Sequence, residues 1–199
     1  MKKMLVMIVV CLTLAGKSHG ADLTLQGLYE KTANRDSDDT GQLLARLEHP
    51  IWREFSIGVD FNYQGRQYFP SVDDVKGAFG SIRGYGIMPT LLFRPQVNDR
   101  VSPYIVAGVG YYWWDFKENP FLQDNQVTVD VGNSLASKYG VGVDVRISEK
   151  WSLNLEVHYF TTEIPKHATD DEGVEWHILG DDEIGNEQWN FAAGFKYKF

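Results

Sequence analysis

Along most of the chain, apolar and polar residues alternate one for one. From Gln188 onward, Trp189, Phe191, Ala193, Phe195, Tyr197 and Phe199 share one parity. Gln188, Asn190, Ala192, Gly194, Lys196 and Lys198 share the other. Successive side chains of a strand point to opposite faces, so a period of two predicts a strand with one greasy and one polar face. The same split recurs from Trp151, where Trp151, Leu153, Leu155, Val157 and Tyr159 oppose Ser152, Asn154, Glu156, His158 and Phe160. It recurs again over 135–147 and 55–64, with Tyr139, Val141 and Val143 or Ile57, Val59 and Phe61 on the greasy side. Four further strands are expected at 21–31, 41–49, 82–95 and 103–116, giving eight. Three connections are short (about 49–54, 96–102 and 148–150) and four are long (about 32–40, 65–81, 117–133 and 164–187). Pro89 falls inside the fourth strand, where it removes one ladder bond, so a bulge or kink is expected there.

Short turns at one end and long loops at the other describe an eight-stranded up-and-down antiparallel barrel. A soluble barrel or sandwich also alternates, but it turns its bulky apolar face inward. Here the greasy face carries Trp, Tyr, Phe and Leu, whereas the polar face carries glycines and small residues. Eight strands enclose a lumen only wide enough for side chains, so the bulky set fits outside, against lipid. Aromatics also fall near strand ends (Phe55 and Tyr63, Trp151 and Tyr159, Trp189 and Tyr197), as interfacial girdles do. The fold class is therefore all-β, a transmembrane β-barrel.

Composition narrows the setting. Residues 1–20 read as a signal peptide: Lys2 and Lys3, an apolar stretch from Met4 to Ala15, then Ser18-His19-Gly20. That leaves 21–199 as one barrel domain. Losing Lys2, Lys3 and Lys17 takes the formal charge from −8 to −11, which argues against a nucleic-acid partner. The one cysteine, Cys11, lies in the signal, so disulfides, thiolate metal sites and cysteine nucleophiles are excluded from the exported domain. Val10 before it and apolar sequence after it argue against a lipid-attachment cysteine. The apolar run Tyr104 to Trp114 is too short to span as a helix.

Pro89-Thr90-Leu91, the run Pro103 to Tyr111, Gly140-Val141-Gly142-Val143-Asp144, Lys150 to Asn154 and Val157-His158-Tyr159 together resemble the middle of the outer membrane protein W family. The likeness covers roughly residues 82–163, with the last strand fitting in type. The resemblance implies an eight-stranded outer-membrane barrel, set in lipid and lipopolysaccharide, that binds or passes small hydrophobic molecules. Phe199 after alternating aromatics also resembles the signal read by the barrel-insertion machinery.

Parity sorts the lumen. Near the periplasmic end, Arg46, Glu48, Arg94, Arg146, Lys196 and Lys198 face inward, with Asp60, Asp144 and Glu156 somewhat above. Opposite charges across a narrow lumen should pair, because an unpaired buried charge is costly. They are expected either to plug the barrel or simply to fill it, and neither reading is an open porin. Higher up, Tyr112, Trp114, His158 and Phe160 face inward. Gly84, Gly86, Gly108, Gly110, Gly140 and Gly142 share that parity on three consecutive strands. Missing side chains there predict a hollow bordered by rings, a place for a small apolar ligand. The alternative is that the glycines relieve strain in a tightly curved sheet. His158 stands where the resemblance implies a large aromatic, pointing to a more polar constriction.

No catalytic residue, cofactor or metal ligand is expected. His158-Tyr159-Phe160 lacks the hydroxyl of the His-x-Ser pattern that the lipid A deacylases resemble. The acidic stretch Glu163 to Glu187 lacks calcium-loop spacing and reads as a solvated loop, although carboxylates there could meet divalent cations bridging lipopolysaccharide. The leading expectation is passage or binding of small hydrophobic solutes. The alternative is a structural or surface-interaction barrel acting through its acidic loops.

Overall fold

A computed structural model describes residues 20–32, 41–68, 80–95, 97–118, 128–169 and 183–199. Residues 1–19 of the expected signal peptide (1–20) and residues 170–182 of the acidic stretch lie outside the described residues. Among the described residues nine strands follow in order: β1 Asp22–Thr32, β2 Gly41–Trp52, β3 Phe55–Tyr68, β4 Gly80–Phe93, β5 Val101–Glu118, β6 Thr128–Val131, β7 Ser134–Arg146, β8 Trp151–Thr169 and β9 Glu183–Lys198. Eight of them pair antiparallel with their neighbours, and β9 pairs with both β1 and β8, closing the barrel. Closure leaves no free sheet edge to lipid, as a spanning sheet requires.

Three expectations need correction. The expected 117–133 connection contains β6, which pairs with the far end of β8 (Thr128 opposite Thr169, Val131 opposite Lys166) outside the barrel. The strands also run further than their alternation: β8 has 19 residues. At about 3.4 Å per residue and a tilt near 40° that is a rise of about 50 Å, twice a ~25 Å apolar band. The outer extensions stand clear of hydrocarbon, so backbone hydrogen bonds hold them without a two-faced side-chain pattern. At Pro89 the bulge is absent. Pairing of β4 with β5 lapses between Ile87–Tyr111 and Thr90–Gly108, then resumes in unchanged register. Register shifts fall instead at Pro50/Trp52 and Gln64/Gln67.

The hydrophobic order is inverted relative to a soluble protein. Leu25, Ile57, Ile105, Val141, Trp151, Phe191 and Phe195 are exposed, whereas Arg46, Asp60, Glu156 and Lys138 are buried. Burying charge while exposing leucine and tryptophan is unfavourable in water and favourable in a bilayer. Aromatic pairs gather in two belts. At the short-turn end Trp52 stacks on Phe55 (6.0 Å), Phe55 meets Phe93 (5.1 Å) and Trp151 meets Tyr197 (4.8 Å). At the other end lie Tyr63–Tyr85 (5.4 Å), Tyr111–Trp113 (5.2 Å) and the run Tyr139–Tyr159–Trp189. The short turns are tightly made. Arg53 takes a left-handed φ of 39° between Trp52 and Phe55, and Asn98 Oδ1 accepts from the backbone N–H of Arg100 and Val101.

Candidate functional site

Inward-facing side chains divide into a charged lower lumen and a ring-lined upper lumen. In the lower lumen the charges form two tiers. In the deeper one, Arg46 on β2 donates to Asp60 on β3 (2.6 and 2.9 Å) and to Glu156 on β8 (2.8 and 3.3 Å). Lys138 on β7 also pairs with Asp60 and lies 3.6 Å from Glu156. Two cations thus face two carboxylates, all buried. In the tier nearer the short turns, Arg94 spans Glu48 (2.7 Å) and Asp144 (2.6 Å). Lys196 reaches Asp22, Glu48 and Asp144 at 3.0, 3.2 and 3.3 Å. Bidentate guanidinium contacts are the form in which a buried pair best offsets its desolvation.

Tyr104 and Asn154 join the tiers. The Tyr104 hydroxyl donates to Glu156 (2.8 Å) and accepts from Asn154 Nδ2 (2.9 Å), which also donates to Asp144. The Arg94 guanidinium lies 4.2 Å over the Tyr104 ring, and Gln26 donates across the lumen to Asn154. One polar network therefore crosses the barrel from the short-turn mouth to mid-height.

Of the nine charged positions singled out from sequence, seven join this network. Arg146 and Lys198 do not: both are exposed, on the rim of a recess of about 610 Å³ that is also lined by Arg53, Ser56 and Arg94. Two levels also differ from expectation. Arg46 belongs to the upper tier and Asp144 to the lower, because strand tilt shifts the level of a given register around the barrel. Lys138, Asp22, Tyr104 and Asn154 were missed. Parity placed Lys138 and Asn154 inward, but the strand that a long side chain reaches across the lumen is not written in its own segment.

Above the network, Tyr112 and Trp114 on β5 stack at 5.6 Å, and Phe160 on β8 meets Tyr112 edge-on at 5.1 Å. With Ile82, Met88 and Ala136 they form a buried apolar cluster. Trp114 Nε1 donates to Ser134 Oγ (2.8 Å), which is 2.7 Å from Thr162 Oγ1, so the indole has its partner. His158 lies between cluster and network, buried, with Nδ1 2.9 Å from Glu156 Oε1.

The glycines do not leave the hollow expected of them. Gly84 is the cross-strand partner of Trp114 and Gly86 of Tyr112, and each ring lies over its glycine. Gly142 is paired with Tyr104 in the same way, whereas Gly140, opposite His158, meets the Cα and Cβ of His158 and the Val157 carbonyl. A Cβ on Gly84 would sit 2.5 Å from the Trp114 ring, and one on Gly86 would enter the Tyr112 ring. Gly108 and Gly110 face Thr90, Met88 and the β4 carbonyls instead, with a Cβ at Gly108 only 2.8 Å from Pro89 O. The glycines seat rings flat against the wall and let β4 and β5 approach. Cross-strand register, which a single segment does not carry, was the missing signal.

Solved structures share this architecture. OprG from Pseudomonas aeruginosa superposes with a TM-score of 0.71 at 15% identity, over 92% of this chain and 97% of that one. Neisserial surface protein A gives 0.58 at 11% identity over 90% and 96%, and E. coli outer membrane protein W gives 0.57 at 16% over 92% and 98%. No curated protein matches the chain in sequence. The resemblance to the outer membrane protein W family agrees with this set of small barrels. The family model for the outer membrane protein beta-barrel domain matches residues 15–199. With its greasy exterior, closed eight-stranded wall and buried charges, the chain belongs to that family and resides in the bacterial outer membrane.

Proposed function

We propose that the barrel binds or passes small hydrophobic molecules, received in the upper lumen by Tyr112, Trp114, Phe160 and His158 and stopped below by the charge network. The observation that carries this reading is a buried ring cluster stacked directly on a fully paired ionic plug. Rings offer an apolar solute dispersion contacts without a hydrogen-bond requirement, whereas water and ions entering from below meet charges already paired. Gly108, Gly110, Gly140 and Gly142 take part indirectly, by setting where the rings and strands lie. No chemical step is assigned to any residue.

Ala136, buried in the ring cluster and already carrying a Cβ, is the place to fill. Ala136→Trp, in a protein that still shows the heat-dependent gel shift of a folded barrel, should lower binding of n-octane at least tenfold. Unchanged binding contradicts the reading. If deleting residues 170–182 abolishes the protein's phenotype while octane binding persists, the acidic loops carry the function instead.

A further inference from the structure

The wall facing the rings is not apolar. Asn62 and Gln64 on β3, and Gln188 and Asn190 on β9, turn carboxamides inward and are buried at 7, 2, 1 and 1% exposure. Gln64 Nε2 donates to Gln188 Oε1 at 3.4 Å, spanning from β3 to β9 over the two strands between them. Asn62 and Asn190 lie one same-face step below. Gln188 is the cross-strand partner of Phe160 and Asn190 of His158, so these amides adjoin the proposed solute seat.

Much of this wall is unpaired. Asn62 Nδ2 and Gln188 Nε2, both donors, and Asn190 Oδ1, an acceptor, are buried with no hydrogen-bond partner, as is Gln26 Oε1 lower in the lumen. A buried polar atom without a partner loses its hydration with nothing in return, in contrast to the charge network beneath, where partners are plentiful. Several such atoms thus lie on one wall of the lumen that carries the rings.

We propose that this carboxamide wall binds the neutral polar end of an amphipathic solute whose hydrocarbon part lies on Tyr112, Trp114 and Phe160. The inference rests on the solute-binding reading above and narrows it to a substrate class. The unpaired set contains donors and an acceptor but no charge. It therefore fits a group that both donates and accepts, such as a hydroxyl or a primary amide, better than a carboxylate or an ammonium. A pure alkane would leave every one of these atoms unpaired, and a site with buried polar groups discriminates against a ligand that lacks the matching group.

The side-chain NH₂ groups report directly. In the full barrel in detergent micelles, ¹H–¹⁵N spectra are followed during titration with 1-octanol and, separately, n-octane. Octanol should shift the Asn62 and Gln188 side-chain resonances and octane should not. The double variant Asn62→Leu/Gln188→Met should lower the octanol-to-octane preference about tenfold. If it does not fold, Asn62→Ala and Gln188→Ala singly serve, each expected to lower the preference severalfold. Octane binding as well as octanol, with the amide signals unmoved, overturns this inference and leaves the solute-binding reading standing. Binding of neither probe overturns both.

Discussion

The two halves of the lumen solve burial in opposite ways. Below, Arg46, Asp60, Glu156 and Lys138 are ionised groups removed from water, tolerable only because each has an oppositely charged neighbour. Above, Tyr112, Trp114 and Phe160 need shape rather than partners, and glycines on the next strand supply the shape. A paired charge network is intolerant of losing a member. A ring packed on glycine is intolerant of gaining one. The charges of the lower lumen are therefore a closed structural unit, while the upper lumen keeps most of the unpaired amides.

Removing a cation from the deeper tier should have the largest effect. Arg46→Met leaves Asp60 and Glu156 sharing Lys138, and should destabilise the barrel by about 3–5 kcal/mol in urea unfolding from micelles. Arg94→Ala should cost less, about 1–3 kcal/mol, because Lys196 still faces Glu48 and Asp144 and the side chain is already 14% exposed. Equal losses at the two positions would erase the distinction between a sealed tier and one open to the mouth.

Gly86→Leu adds atoms where the Tyr112 ring lies and should cost about 1–3 kcal/mol, with Gly86→Leu/Tyr112→Ala recovering part of the loss. Gly27 is exposed on the outer face of β1, with nothing within 4 Å of a Cβ. Gly27→Ala should therefore be the smallest change of all, within ~0.5 kcal/mol. If Gly86→Leu is as mild as Gly27→Ala, the glycines are not ring seats.

How far sequence reaches into this fold can be followed residue by residue. Alternation assigns Arg46, Asp60 and Glu156 to the lumen and Trp151, Phe191 and Phe195 to lipid, because parity alone decides the face of a strand. It does not assign Arg46 and Asp144 to their tiers, since level depends on tilt and register around the closed wall. It does not pair Gly84 with Trp114, because that neighbour lies thirty positions on and is fixed only once β4 and β5 are in register. The inward amides of β3 and β9 were visible as polar positions, but their facing one another from β3 and β9 is a property of closure. Beyond the membrane, β6 alternates over only four residues, too few to assign a strand, and the ends of β8 and β9 carry no sustained alternation.

The claim that the lumen is sealed below and receptive above is tested most directly by single-cysteine accessibility. The chain's one native cysteine, Cys11, falls in the expected signal peptide, so the barrel itself starts free of thiols. In reconstituted barrels of known orientation, Ala136→Cys should react with N-ethylmaleimide added on the long-loop side, and n-octane should protect it. Val97→Cys, exposed in the recess at the short-turn mouth, should react only from the short-turn side. Modification of both positions from either side, or of Ala136→Cys without protection by octane, would contradict the division of the lumen.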